Sequence, residues 1–297
     1  MSAMYTEKKL AENIKVFVMF AFVPLLAFLT VKVIPFAIGV TMTFTDWNGV
    51  ASSFQFKGFE NYIAAFRDAE FWHSMLFTVR YVVCSVVLTN VIAFALALLV
   101  SSGVKGQNAF RLGFFTPNLI GGIILGFIWQ FIFSRVLVYV GKEAAWDLFA
   151  NSWLAQPDKA FWALVIVGVW QTSGYMMLIY IAGLTGIPGS LLEAAGLDGA
   201  SKWQQLIRIK IPLMVPAFTI SLFLTLQKSF MVYDTNLSLT QGGPYRSTEL
   251  IAMHVYNEAF LYQRYGSGQA KAVILFIIVA LIAVIQVRAM KRLEVRS

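Results

Sequence analysis

The chain has 297 residues, 59% of them hydrophobic and only 13% charged, with a net charge of +8 and a mean hydropathy of +0.71. Soluble domains average about 45–50% apolar and about 25% charged residues, so this composition excludes a water-soluble globular chain and assigns an integral membrane protein. The basic residues cluster at the ends of apolar runs, which reports topology rather than nucleic-acid binding, and the single cysteine, Cys84, rules out an intrachain disulfide and a cysteine zinc site.

A hydrocarbon core about 30 Å thick is crossed by about 20 apolar residues in a helix. Six segments meet that requirement: 16–43, 75–100, 113–134, 160–184, 214–233 and 269–288. The expected fold is an all-α membrane protein with six transmembrane helices over residues 16–288. A cytoplasmic N-terminal segment (1–15) and a cytoplasmic C-terminal tail (289–297) flank it. The first apolar run is far longer than the roughly 7–15 residues of a signal-peptide core, so it is read as an uncleaved span. Pro24, Pro35 and Lys32 predict a tilt or kink within it. Residues 58–72, GFENYIAAFRDAEFW, alternate aromatic and polar character and predict a short interfacial helix with Tyr62 and Trp72 at headgroup depth. The fifth segment is the weakest, because Gln227 and Lys228 interrupt it. In the loop at 234–268, the Gly-Gly-Pro of LTQGGPYRSTE demands a turn.

Orientation follows from lysine and arginine. With the N-terminus inside, the inner segments carry Lys8, Lys9, Lys15, Lys105, Arg111, Lys202, Arg208, Lys210, Arg288, Lys291, Arg292 and Arg296, well in excess of the inner acids. The outer segments are balanced. Both termini are therefore expected in the cytoplasm of a multi-pass protein.

That orientation puts loop 185–213 on the cytoplasmic side. It contains SLLEAAGLDGASKWQQLIRIKIPLMVP at 190–216, which is soluble in character. Ser190 and Glu193 have the spacing of a capping box, so a helix is expected from Leu191. Asp198-Gly199 suits a turn. Ser201 and Gln204 repeat the capping spacing and predict a second helix, with Trp203, Leu206, Ile207 and Ile211 on its apolar face and Pro212 and Pro216 ending it. The result is a compact knob whose small residues, Ala194, Ala195, Gly199 and Ala200, permit close approach by another surface. An ordinary well-capped connecting loop would look the same.

The stretch EAAGLDGASKWQQLIRIKIP resembles the signature of the permease subunits of binding-protein-dependent ABC importers: Glu-Ala-Ala, three residues, Gly, nine residues, Ile, one residue, Leu, Pro. Glu193, Ala194, Ala195, Gly199, Ile209 and Pro212 fall in place, and Ile211 stands where Leu is usual. FKGFENYIAAFRDAEFWHSMLFTV (56–79), LTQGGPYRSTE (239–249) and YGSGQAKAVILF (265–276) resemble segments of the carbohydrate branch, nearest to maltose-type sugar permeases. The resemblance implies that the knob is a coupling helix docking on a cytoplasmic ATPase, with Glu193, Ala194, Ala195, Asp198, Gly199, Ala200, Ile209 and Pro212 as the coupling residues. It also implies a second permease subunit, an ABC ATPase dimer and an extracytoplasmic solute-binding protein as partners, in a bacterial plasma membrane. The chain contains no Gly-x-x-x-x-Gly-Lys loop. ATP and Mg²⁺ are accordingly expected in the partner ATPase and no cofactor in this chain.

Polar residues within spans are costly and are functional candidates by default. Spans four and five supply Gln171, Thr172 and Tyr175, and Thr225, Lys228 and Ser229. In maltose-type subunits these two helices line the sugar site, and Tyr175 is the position whose residue type matches a sugar contact. Interhelix hydrogen bonding is the competing role for these residues. Lys228 has two open roles: attraction of an anionic sugar, or pairing with an acid such as Asp234. No catalytic or metal-ligating residues are expected, since His73 and His254 both lie in outer segments and no HExxH or Gly-x-Ser-x-Gly occurs. An importer for a non-carbohydrate solute is the nearest alternative.

Overall fold

A computed structural model describes residues 15–294. The expected N-terminal segment up to Ile14, and Val295–Ser297 of the expected tail, lie outside the described residues. The chain forms two compact units, one made of residues up to Arg67 with Asn257–Val273, the other of Asp68–Tyr256 with Ile274 onward. Among the described residues no β-strand occurs, only an isolated bridge between Thr45 and Phe56.

The first unit contains α1 (Lys15–Met42) and α2 (Glu60–Arg67). Its loops are tied by side chains to the backbone: Asn61 Nδ2 donates to the carbonyls of Thr43 and Thr45, both at 2.8 Å, and Tyr62 OH donates to Thr43 Oγ1 at 3.0 Å. Lys271, fully buried, pairs with buried Glu258 at 3.0 Å, which satisfies a charge that could not stand alone in an apolar helix.

The second unit holds α3 (Ala69–Val100), α4 (Gln107–Phe115), α5 (Gly122–Glu143), α6 (Pro157–Thr185), α7 (Gly189–Leu197), α8 (Lys202–Leu213), α9 (Val215–Phe230), α10 (Asp234–Leu239) and α11 (Ile251–Tyr256). The last helix, α12 (Tyr265–Lys291), begins in the first unit and ends in the second. Helices α1, α3, α5, α6 and α12 are each long and apolar enough to cross a membrane, and α8 with α9 passes the same test as a pair bent by 67°. The 16 residues of α9 alone span only about 24 Å, short of a hydrocarbon core of about 30 Å. The heart of the second unit is where α3, α6 and α9 meet, around Ala93, Ala97, Met176, Met177, Tyr180, Met214 and Ala217. Small residues let the backbones approach, which is how helices associate without a hydrophobic driving force.

Several sequence expectations are corrected. The second helix starts at Ala69 rather than 75, because the Asp68 carboxylate accepts from the N–H groups of Glu70 and Phe71 at 2.9 and 3.2 Å and caps it. The expected interfacial helix at 58–72 is therefore only Glu60–Arg67, and Trp72 sits on α3. The apolar stretch 113–134 is not one helix. α4 ends at Phe115, a 3₁₀ turn covers Thr116–Leu119 around buried Pro117, and Ile120 and Gly121 are extended, with ψ of 125° and 143°, before α5 begins. Proline supplies no N–H and Gly121-Gly122 tolerate the turn. The helix then runs on to Glu143, well past 134. α8 ends between the two prolines as expected, at Leu213, one residue past Pro212; the bend falls at Met214, and Pro216 sits in the first turn of α9, where its missing donor is harmless.

Candidate functional site

The 185–213 loop folds as two short helices closed by a tight turn. α7 ends at Leu197 with Asp198 as its cap, and Gly199 takes φ +79°. The Gly199 N–H donates to the Gly196 carbonyl at 3.1 Å and the Ala200 N–H to the Ala195 carbonyl at 2.9 Å. This pair of bonds is the Schellman closure, and it needs a left-handed residue at Gly199 that glycine adopts without steric cost. Ser201 then caps α8: its hydroxyl accepts from the Gln204 N–H at 3.2 Å, while Gln204 Oε1 accepts from the Ser201 N–H at 2.8 Å. The expected second capping box is thus present. The first is not. Pro188 occupies the N-cap in extended backbone and the helix begins at Gly189, which places Ser190 inside the first turn, where it caps nothing.

Glu193, Ala194, Asp198 and Gly199 are exposed, Ala195 and Ala200 half-buried. Ile209 and Pro212 lie half-buried on α8. A methyl group added at Gly199 would meet no atom within 4 Å. The expected apolar face of α8 is not buried: Trp203 is 67% exposed, and Leu197 at the tip of the turn is 90% exposed. A capped, small-residue knob with bare apolar side chains is a surface made to be covered.

Five of the six expected path residues, Gln171, Thr172, Thr225, Lys228 and Ser229, line one small polar cavity, and Tyr175 is not among its lining residues. Thr225 joins a buried polar hub. Its Oγ1 accepts from Asn90 Nδ2 at 3.0 Å, and Asn90 Oδ1 accepts from Tyr180 OH and from Ser221 Oγ at 2.5 and 2.6 Å. Asn90 thereby ties α3 to α6 and α9. Gln171 Nε2 donates to the Ile120 carbonyl at 3.0 Å, and Lys228 Nζ donates to Asn118 Oδ1 at 3.2 Å. The partner of Lys228 is Asn118, not the expected Asp234. Thr172 and Ser229 are buried beside a polar cavity of about 20 Å³, lined also by Tyr81, Ser85 and Gln171. Tyr175 faces away from this group, 38% exposed, with its ring 6.4 Å from that of Phe115.

Residues 89–296 match the family described as binding-protein-dependent transport system inner membrane component. The chain belongs to this family. It is 46% identical, over 91% of its length and 92% of the relative's, to the probable starch degradation products transport system permease protein AmyD of Thermoanaerobacterium thermosulfurigenes. It is 30% identical, over 93% and 95%, to the multiple sugar-binding transport system permease protein MsmF of Streptococcus mutans. The fold is shared with a chain of a bacterial alginate ABC transporter solved in complex with an alginate pentasaccharide-bound periplasmic protein, with a TM-score of 0.81, 19% identity and coverage of 96% of each chain. In this permease the sequence reading missed Asn90 and Asn118. An amide inside the apolar run 75–100 is itself the signal for Asn90, and Asn118 follows Pro117 at an interruption the hydropathy does not register.

Proposed function

We propose that this chain is one of two permease subunits of an ABC importer for a sugar or oligosaccharide, with starch-derived α-glucans as the first candidates. A solute-binding protein delivers the sugar to the outer face. An ATPase dimer, which holds ATP and Mg²⁺, docks on the α7–α8 loop. The chain itself performs no covalent chemistry. Six crossings, with α8–α9 counted as one bent span, put both termini in the cytoplasm of the bacterial plasma membrane. The observation that carries this reading is the loop: its signature residues sit on an exposed, rigidly closed turn rather than in the packed interior. Switching between two states needs contacts that differ between them, and such a knob can supply them. Within the membrane we place Tyr175 against the sugar, because its aromatic face is open, while Thr172, Thr225 and Ser229 lie behind it.

The test is affinity purification of the tagged chain from native membranes in mild detergent, beside a Glu193→Lys/Gly199→Asp variant. Copurification of an ATPase and a second permease with the wild type, and loss of the ATPase from the variant, is the expected result. Absence of any ATPase from an intact wild-type complex would refute it.

A further inference from the structure

We propose that Gln171 and Lys228 are positioning residues: they hold the break in the third apolar segment and influence the passing solute through that break, without touching it. The proposal rests on the permease reading for its transport readout. Non-helical backbone at membrane depth persists only where protein groups or a wet cavity satisfy it. Here the polar groups of the break are met from three directions. From α6, Gln171 Nε2 donates to the Ile120 carbonyl at 3.0 Å. From α9, Lys228 Nζ donates to Asn118 Oδ1 at 3.2 Å. From α10, Ser238 Oγ lies 3.3 Å from the Gly122 carbonyl. The packing is equally close. A Cβ at Gly174 would collide with the Phe114 carbonyl oxygen, and one at Gly122 would stand 2.7 Å from Asp234 Cβ. The break is therefore clamped between α6, α9 and α10.

The cavity beside these residues measures about 20 Å³, space for about one water molecule and far too little for a sugar ring. Gln171 and Lys228 both line this cavity and both bond the break, so parting α6 from α9 to widen it pulls the two side chains against Ile120 and Asn118. Lys228 needs its hydrogen atoms for this role and not its charge. An amide at the same position would serve, whereas an anion-binding role would be lost with the charge.

The test is a double-mutant cycle in the complete transporter reconstituted in proteoliposomes, with maltotriose and maltotetraose as probes and Asn118→Leu, Lys228→Met, both together, and Lys228→Gln as variants. Each single apolar variant is expected to change the maximal uptake rate by about three- to tenfold, the scale of one interhelix hydrogen bond. The double variant should match the singles, Lys228→Gln should recover to within about twofold of wild type, and the maltotriose to maltotetraose ratio should stay constant throughout. A ratio that shifts with Lys228→Met but not with Asn118→Leu, or effects that multiply in the double variant, would overturn the proposal. The same cycle is read by thermal unfolding of the detergent-solubilised chain, which needs no transport. Coupled losses there with no uptake of either sugar by wild type would count against the sugar assignment and leave the clamp standing, and independent losses would sink the clamp.

Discussion

Asn90→Leu should be among the most damaging single changes in the membrane interior, although Asn90 touches neither the α7–α8 loop nor Tyr175. Its side chain makes three bonds to other helices, to Tyr180, Ser221 and Thr225. Interhelix bonds in a bilayer average about 0.6 kcal/mol each and reach about 1.7 kcal/mol, which sets a range of about 2–5 kcal/mol. Thr225 already donates to the Ser221 carbonyl at 2.7 Å, and a serine hydroxyl can turn to its own preceding turn, so two of the three groups have a fallback. The Tyr180 hydroxyl has Ser221 to turn to, but it cannot swing farther, because its ring is wedged between Phe94 and Phe218 with centroids 5.6 and 5.0 Å away. We therefore expect a loss of about 2–3 kcal/mol, dominated by this constrained donor. The assay is equilibrium unfolding of the detergent-solubilised chain, with Tyr180→Phe and the double variant completing the cycle. Tyr180→Phe alone should cost about 1 kcal/mol. In the Asn90→Leu background it should cost less, because the hydroxyl has already lost its Asn90 acceptor. If Tyr180→Phe costs the same in both backgrounds, to within about 0.5 kcal/mol, the hub does not bind these helices together.

Three further outcomes are expected. Ser201→Ala should destabilise the α7–α8 loop by about 1 kcal/mol, while Ser190→Ala, where no cap exists, should be near neutral by hydrogen exchange across 189–213. Gly174→Ala should be severe, because its methyl group would collide with the Phe114 carbonyl and force α4 from α6. Gly189→Ala, with no atom within 4 Å, should be neutral or raise the melting temperature slightly. In the loop at 234–268, burial pushes the Glu249 carboxyl up, but hydrogen bonds and charge from His254 and Arg246 prevail and hold it at about 2, below its ordinary 4.5. A carboxyl lowered on folding contributes stability that is complete above about pH 4.5 and lost as pH falls toward 2. Exchange of the amides of Thr248–Met253 should quicken in that window, and Arg246→Leu, by raising the folded-state value, should narrow the window from its lower end and shrink the total change.

The α7–α8 loop was legible in the sequence because its structure is local. Ser201 with Gln204, and Asp198-Gly199, decide their own backbone within a few residues, and both act as expected. Ser190 with Glu193 has the same spacing and fails, because Pro188 one step upstream sets the N-cap first. The polar residues of the fourth and fifth apolar segments were legible as a set but not in their roles. Whether a threonine such as Thr225 faces a cavity or a neighbouring amide depends on a residue 135 positions away in sequence, and spacing within one helix says nothing about that.

Proline marks the limit of local reading most clearly. The π turns Val18–Phe22, Leu29–Val33 and Leu206–Lys210 each end two residues before a proline, at Pro24, Pro35 and Pro212; the helix continues past the first two, whereas α8 ends one residue after Pro212. Widening one turn lifts the carbonyl four residues back away from the pyrrolidine ring and removes the demand for its missing N–H, so proline at 24 and 35 shapes a helix without ending it. Pro117 lies in an equally apolar stretch and does end one. The difference lies in what surrounds the freed backbone. Glycines at 121 and 122 allow the extended step, Gln171 brings a donor to the Ile120 carbonyl from α6, and Lys228 holds the Asn118 side chain from α9. Remove the Gln171 donor and the cheapest way to satisfy the Ile120 carbonyl is to resume the helix through a π turn, as at Pro24 and Pro35. The break at Thr116–Gly121 is thus a property of α6 and α9 as much as of the segment that contains it.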